Sequence, residues 1–71
     1  MSNNLDLNNA TEQQLVNIHG INKDSAKKIV EFRNQKGQFD SWEDLRHIPG
    51  LSFNTLDILQ RQGCTVKGMA A

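Results

Sequence analysis

The sequence of 71 residues lacks several features that mark particular classes of protein. Its single cysteine, Cys64, excludes an internal disulfide and a cysteine-cluster metal site. It has no long apolar run, so we expect neither a membrane span nor a signal peptide; a complete chain would be cytoplasmic, and the compartment of an excised domain stays open. Eight basic and eight acidic residues cancel, which argues against a strongly basic nucleic-acid binder but not against a weak one.

The sequence does contain a repeat. Residues 17–22 read NIHGIN, and thirty residues further on residues 47–52 read HIPGLS. In each copy a glycine, Gly20 or Gly50, lies between two aliphatic residues, where it can end one helix and turn the chain sharply. Each copy ends on a small polar residue that can cap a following helix. The repeat therefore predicts two helical hairpins side by side, related by a pseudo-twofold axis.

Cap residues and apolar spacing predict four short helices. Thr11 and Gln14 form a capping box for the first, Asn22 caps a second that ends near Gly37, and Ser41 caps a third. The fourth follows Ser52 and closes at Gly63. The residues expected in the core are Leu15, Ile18, Ile21, Ala26, Ile29, Val30, Leu45, Ile48, Leu51, Leu56 and Leu59.

A hydrophobic content of 37% is enough for one compact core in a small chain. We expect one domain over residues 5–66, with flexible residues at 1–4 and 67–71. Residues 5–8 alternate apolar and polar positions, which is typical of a short extended segment, and residues 65–66 are a second such segment that can lie against it. Arg33 falls on the apolar stripe of the second helix, where an arginine is expected to hold carbonyls or a carboxylate.

No arrangement of residues suggests an enzyme. His19 and His47 are expected at the surface or at helix ends, and Cys64 in or near the core; no base and nucleophile are paired. We therefore expect no catalytic site, metal, cofactor or small-molecule substrate.

The hairpins are the feature with chemical capability. Backbone amides at residues 20–22 and 50–52 are expected to point outward from a helix N-terminus, where they can hold a phosphate oxygen without a full positive charge. Two such sites related by a twofold axis could each bind one strand of a duplex. Because contacts with phosphates do not read the base sequence, such binding would be nonspecific. The alternative is that both glycine turns only pack four short helices together.

The segments 5–11, 19–22, 29–33, 37–39 and 43–45 resemble the ComEA family, and the resemblance extends over about residues 5–66. It implies an all-α tandem helix-hairpin-helix domain with four short helices, pseudo-twofold symmetry and a SAM-domain-like architecture. It also implies nonspecific binding of double-stranded DNA during competence and DNA uptake. The same fold serves in a protein-binding role in the extrinsic PsbU subunit of photosystem II, which does not act on DNA.

The sequence departs from the family pattern at the hairpins. The second hairpin glycine of the family is replaced by Asn22 and by Ser52, whose side chains would either crowd a phosphate or donate to it. Asp24 brings a negative charge to the first hairpin, and Phe53 brings an apolar side chain to the second. His19 stands where the family usually has proline.

Weak, nonspecific binding of double-stranded DNA is thus the leading hypothesis. Its candidate phosphate-binding residues are Gly20, Ile21, Asn22, Lys23, Lys27, Gly50, Leu51, Ser52 and Asn54. The alternative is a scaffold module that binds a protein partner through Phe53, Trp42 and Leu51. A targeting domain from a DNA-processing enzyme would differ from the leading hypothesis only in context.

Overall fold

Four helices form the domain, as the computed structural model shows for residues 5–68. They are α1 (Glu12–Val16), α2 (Lys23–Lys36), α3 (Trp42–Arg46) and α4 (Phe53–Arg61). Within those residues the extended structure is limited to one isolated bridge, so the predicted all-α class is confirmed. Residues 1–4 and 69–71, predicted to be flexible, lie outside the described residues.

Three of the four predicted N-caps are confirmed. The Thr11 hydroxyl accepts from the Gln14 amide at 3.1 Å, and the Gln14 side chain accepts from the Thr11 amide at 2.9 Å, which completes the capping box of α1. At α2 the cap is the side chain of Asn22, and at α4 that of Ser52. Local sequence is therefore enough to start these three helices.

The predicted cap of α3 is wrong. Ser41 occupies the N-cap position but makes no side-chain capping bond. The Asp44 amide, which a capping hydroxyl could bind, donates instead to the backbone carbonyl of Ser41 at 3.1 Å. The Asp44 carboxylate turns back and accepts from the Asp40 amide at 2.7 Å, which ties the α2–α3 loop to α3.

The core forms where the apolar stripes of the helices meet. Of the residues expected there, all are buried except Val30 and Leu51, which are half-buried and pack against the core from its edge. These two lie at the edge of the core because an apolar stripe in a sequence has no sharp boundary, and the width that is covered depends on the neighbouring helices. The core also includes Cys64, as expected, and four residues that were not expected there: Leu7, Ala10, Phe39 and Val66.

Phe39 enters the core from a loop. Its backbone amide donates to Asn8 Oδ1 at 2.6 Å, and its carbonyl accepts from Asn8 Nδ2 at 2.9 Å. Its ring stacks on that of Phe32, with centroids 6.1 Å apart and planes at 10°. One asparagine side chain thus fixes the loop backbone so that the aromatic ring fills the core.

The two ends of the domain pair as predicted. Asp6 and Thr65 form a parallel bridge, in which the Leu7 amide donates to the Thr65 carbonyl at 2.8 Å and the Thr65 amide donates to the Leu5 carbonyl at 2.9 Å. The Asp6 carboxylate also accepts from the Gly68 amide at 3.0 Å, so the tail predicted from residue 67 begins with residues bonded to the domain.

Arg33 has the structural role expected of it. Its Nη1 donates to the backbone carbonyls of Leu7, at 2.8 Å, and Ala10. A guanidinium can satisfy several carbonyls at once, so it binds the segment before α1 onto α2.

Carboxylates cluster with lysines at the C-terminal end of α2. Lys36 Nζ lies 3.1 Å from Asp40 and 3.6 Å from Asp44, and Lys67 Nζ lies 3.2 Å from Asp40. Hydrogen bonding by Lys36, then by Lys67, lowers the pKa of Asp40 below its usual range. The pKa of Asp44 is lowered mainly by the hydrogen bond from the Asp40 amide. Asp40 and Asp44 therefore stabilise the folded state when they are ionised.

Replacing a fully buried aliphatic should unfold much of the population. Ile29→Ala or Leu45→Ala should cost about 2–5 kcal/mol, because both side chains are 0% exposed and leave a cavity. A domain of this size has a total stability of only about 5 kcal/mol. Urea denaturation measures the loss, with Val30→Ala at a half-buried position as the control. Equal losses at Val30 and Ile29 would show that the core is assigned wrongly.

Acid should weaken the fold through Asp44. Its pKa is lowered in the folded state, so its contribution is present above the unfolded-state pKa and is lost as pH falls through the folded-state pKa. Asp44→Asn keeps a side-chain acceptor for the Asp40 amide but removes the charge. We expect melting temperatures of Asp44→Asn to depend less on pH below about pH 4 than those of the parent. Glu31→Gln controls for the loss of one negative charge; a pH dependence identical to the parent's would contradict the assignment to Asp44.

Candidate nucleic-acid interface

The two hairpin turns adopt the same backbone conformation. Gly20 has φ of 96° and Gly50 has φ of 81°, a region that residues with a Cβ rarely adopt. The turns are closed by equivalent bonds: the Ile21 amide donates to the Ile18 carbonyl at 3.0 Å, and the Leu51 amide donates to the Ile48 carbonyl at 3.3 Å. The predicted equivalence of the two turns is confirmed.

Each hairpin glycine packs against the second helix of the other repeat. A Cβ added to Gly20 would lie 3.0 Å from Cδ1 of Ile58 on α4, and one added to Gly50 would lie 2.9 Å from Nζ of Lys28 on α2. Positions 28 and 58 are thirty residues apart, as are the two glycines. The exchanged contacts give the domain its pseudo-twofold symmetry. At Gly20 the packing against Ile58 thus adds to the constraint of a positive φ, whereas at Gly50 the neighbour is the flexible end of a lysine and the positive φ is the main constraint.

The bonds within the turns narrow the set of candidate phosphate donors. The amides of Ile21 and Leu51 were expected to point outward, but they donate to carbonyls of their own turns. Ile21 is also only 5% exposed. These two residues shape the turns, and the donors that remain lie around them.

The polar residues in place of the second family glycine face their own helices. Asn22 Oδ1 accepts from the Ser25 amide at 2.8 Å, and Ser52 Oγ accepts from the Thr55 amide at 3.2 Å. The first amides of an α-helix have no acceptor within the helix. Because each cap satisfies the third amide, the amides of residues 23–24 and 53–54 stay open, next to the positive ends of the helix dipoles.

Mixed charges surround the first hairpin. Lys23, Asp24 and Lys27 are exposed. The Asp24 carboxylate lies 2.8 Å from Nζ of Lys28, one helical turn further along α2. Because this carboxylate lies in the first turn of α2, its negative charge stabilises the helix, but the same charge repels a phosphate at that end.

The second hairpin has no acid in the first turn of its helix. Ser52 and Asn54 are exposed, and Phe53 between them is 82% exposed. Lys28 Nζ donates to the Gly50 carbonyl at 3.5 Å. A single ammonium group thus contacts Asp24 at the first hairpin and Gly50 at the second, so both sets of candidate residues lie on one side of the domain.

Lys28 is the residue that sequence reasoning missed. Its contact with Gly50 could not be predicted, because the repeat does not by itself show which residues cross from one hairpin to the other. The available signal was the repeat register, in which Lys28 corresponds to the aliphatic Ile58.

Other chemical features of residues 5–68 are sparse. No group of three or more His, Cys, Asp and Glu side chains there is placed to hold a metal ion. Cys64 is buried, and burial raises the pKa of its thiol, which disfavours the thiolate. His19 and His47 are exposed. None of the helices in this part of the chain has the length and apolar character needed to cross a bilayer.

Comparison with known proteins agrees with this geometry. The profile described as the helix-hairpin-helix motif matches residues 2–62. The chain belongs to the helix-hairpin-helix motif family. Membership of this family suggests nucleic-acid binding in general, and the narrower resemblance to ComEA is not confirmed by the relatives described next.

Relatives of this helix-hairpin-helix domain are much longer proteins. Endonuclease/exonuclease/phosphatase family domain-containing protein 1 from Danio rerio is 40% identical over 58 residues, which cover 82% of this chain and 10% of the relative. The protein of that name from Homo sapiens is 36% identical with the same coverage. An uncharacterized protein from Neisseria meningitidis is 36% identical over 53 residues, 75% of this chain and 7% of that protein. The chain thus spans about a tenth of the length of its first relatives, and no solved structure matches it significantly.

Substituting alanine for Gly20 and for Gly37 separates backbone strain from packing. Both glycines have similar φ, 96° and 103°, so alanine should cost about 1–2 kcal/mol at either position. Only at Gly20 would the added Cβ meet another side chain, Ile58 at 3.0 Å; at Gly37 nothing lies within 4 Å. We expect Gly20→Ala to lose at least ~1 kcal/mol more than Gly37→Ala in urea denaturation. Equal losses would show that the contact between the repeats is loose.

Proposed function

We propose that this domain binds double-stranded DNA weakly and without sequence preference, and that it has no catalytic activity of its own. The observation that carries the proposal is the pair of hairpins on one side of the domain, each followed by open amides at the start of a helix. The two strands of a duplex present phosphates with twofold symmetry. A domain with a pseudo-twofold axis can use its two hairpins in the same way, one for each strand.

Amide donors suit this role in a chain with no excess positive charge. Open amides at a helix N-terminus hold a phosphate oxygen through hydrogen bonds and the helix dipole. Such contacts fix a protein on the backbone of a duplex and carry no sequence information. Affinity should be on the order of 10⁻⁴–10⁻⁶ M, with a log–log salt slope near −3 for ~3 phosphates neutralised.

The proposed contacts come from both repeats. At the first hairpin they are Gly20, Asn22, Lys23 and Lys27, all exposed. The second hairpin offers an equivalent exposed group: Gly50, Ser52 and Asn54. Asp24 opposes the first group because its carboxylate lies beside the amides that would hold the phosphate.

The scaffold alternative has less support. Phe53 is the large apolar side chain most exposed in the described part of the chain, and it favours a protein contact. Trp42 and Leu51, however, pack against the core, so the three residues do not form a broad exposed patch. A single exposed aromatic beside a hairpin is a small surface for a protein partner.

A place in a longer protein agrees with the proposal. The relatives from D. rerio and H. sapiens carry an endonuclease/exonuclease/phosphatase family domain in their name, and the matched segment is a tenth of their length. We propose that such a segment serves to hold DNA, while any chemistry belongs to other parts of the longer chain. The targeting-domain hypothesis then makes the same claim as the leading hypothesis, namely that this domain binds DNA.

DNA binding can be tested with two matched aspartate variants. Asp24 and Asp40 each lie close to a lysine four residues away, at 2.8 Å and 3.1 Å, but at opposite ends of α2, whose 14 residues span about 21 Å. Asp24→Asn should tighten binding about threefold, since unit charges ~6 Å apart in water interact by ~0.7 kcal/mol. Asp40→Asn changes the net charge equally but should leave affinity nearly unchanged.

The measurement is fluorescence anisotropy with a labelled duplex of random sequence, at about 50 mM and about 200 mM salt. Equal tightening by both variants would mean that binding follows net charge and not the hairpins. A flat titration for the parent and for Asp24→Asn would end the DNA proposal in favour of the scaffold alternative. In that case polar substitution of Phe53 should abolish capture of a protein partner.

A further inference from the structure

The contact between Lys28 and the second hairpin links the two repeats. Lys28 belongs to α2 in the first repeat, yet its Nζ donates to the Gly50 carbonyl at 3.5 Å. We propose that Lys28 is the cation of the second hairpin's DNA-phosphate site, and that Asp24 weakens this site by competing for the same ammonium. The inference rests on the proposed function, because it assigns a further residue to that site.

The end of the lysine side chain lies directly on the turn. A Cβ added to Gly50 would be 2.9 Å from Nζ, 3.3 Å from Cε and 3.7 Å from Cδ of Lys28. Gly50 has no Cβ and leaves this space to the flexible end of the lysine, so the ammonium lies on the turn. The ammonium is thus held at the second hairpin by a direct contact with its turn, not only by long-range attraction.

The equivalent position of the other repeat shows what is special about Lys28. Ile58 occupies the corresponding place against Gly20, with its Cδ1 3.0 Å from an added Cβ. The packing of the two hairpins is thus alike, whereas their charge is not: an aliphatic group covers the first turn and an ammonium covers the second. Ile58 shows that packing against a hairpin glycine does not need a charged side chain. Packing alone therefore does not explain a lysine at position 28.

The charges near Lys28 leave it able to bind a phosphate. An ammonium has three N–H donors, and here one contacts Asp24 at 2.8 Å and one contacts the Gly50 carbonyl. The third can be given to a phosphate oxygen. Asp24 is 73% exposed and Lys28 is 36% exposed, and an exposed pair of this kind contributes little to stability. A phosphate held at the same time by backbone amides can therefore compete with Asp24 for the ammonium.

Lys28→Gln tests the assignment, with Lys36→Gln as the matched control. Both lysines are about one-third exposed, and each pairs with an aspartate four residues away; Lys36 lies at the other end of α2. Lys28→Gln should weaken duplex binding about threefold to tenfold and make the log–log salt slope shallower by ~0.9, the value for one phosphate contact. Lys36→Gln should change neither quantity appreciably, and Lys28→Arg should retain the slope of the parent.

Two further variants test whether Asp24 competes with a phosphate for Lys28, and whether a lysine in place of Ile58 makes the first hairpin like the second. In the Lys28→Gln background, Asp24→Asn should tighten binding by a smaller factor than in the parent. Ile58→Lys should give the first hairpin its own cation and steepen the salt slope by ~0.9. Circular dichroism melts check that every variant is folded. If Lys28→Gln does not fold, the salt slope of Ile58→Lys decides, and a slope equal to that of the parent would overturn the assignment.

The outcomes separate this inference from the proposed function. If the parent and Asp24→Asn both fail to bind duplex DNA, the proposed function and this inference fall together. If they bind as expected while Lys28→Gln matches Lys36→Gln in affinity and slope, only the role of Lys28 is overturned.

Discussion

The structure depends on the close approach of each hairpin glycine to the opposite repeat. At Gly20 and at Gly50 a positive φ turns the chain, and the missing Cβ leaves room for a side chain of the other repeat within about 3 Å. At Gly20 the two requirements reinforce each other, because a residue that strained the turn would also press against Ile58; at Gly50 the flexible end of Lys28 can move, so the positive φ is the main constraint. Together with the shared core, these turns set the positions of α2 and α4 and of the open amides at their starts.

Symmetry in packing coexists with asymmetry in charge. The turns, their closing bonds and the capping of the helices that follow are alike in the two repeats. The first repeat nevertheless contributes Asp24 and Lys28, where the second has Asn54 and Ile58. Packing constrains the shape of a side chain against the turn, and it leaves charge free to differ wherever the side chain reaches solvent. The hairpins can therefore differ as proposed phosphate sites while remaining equivalent as structural elements.

Local sequence predicted the parts of the fold that depend on residues close together in the chain. Caps such as Asn22 and turns such as Gly20 act within three or four residues, so their patterns could be recognised directly. Two failures involve contacts between distant segments: Asn8 holds Phe39 from 31 residues away, and Lys28 reaches Gly50 across 22. The absent side-chain cap of Ser41 is a local failure, because the Asp44 amide bonds to the Ser41 carbonyl instead. Among the amides expected to be open, those of Ile21 and Leu51 bond within their own turns, since which amide a turn uses depends on its detailed geometry.

The proposed weak binding of DNA would be useful in a small domain without excess charge. Phosphate binding by amides is indifferent to sequence and, with few counterions released, less dependent on salt than binding by many lysines. When such a domain is linked to a second DNA contact, the linkage converts its binding into an intramolecular step at an effective concentration near millimolar. A dissociation constant of 10⁻⁴–10⁻⁶ M is then sufficient for nearly continuous contact, and release stays fast. The balance of charges in this chain thus suits a domain that assists a second DNA-binding site better than one that must bind DNA by itself.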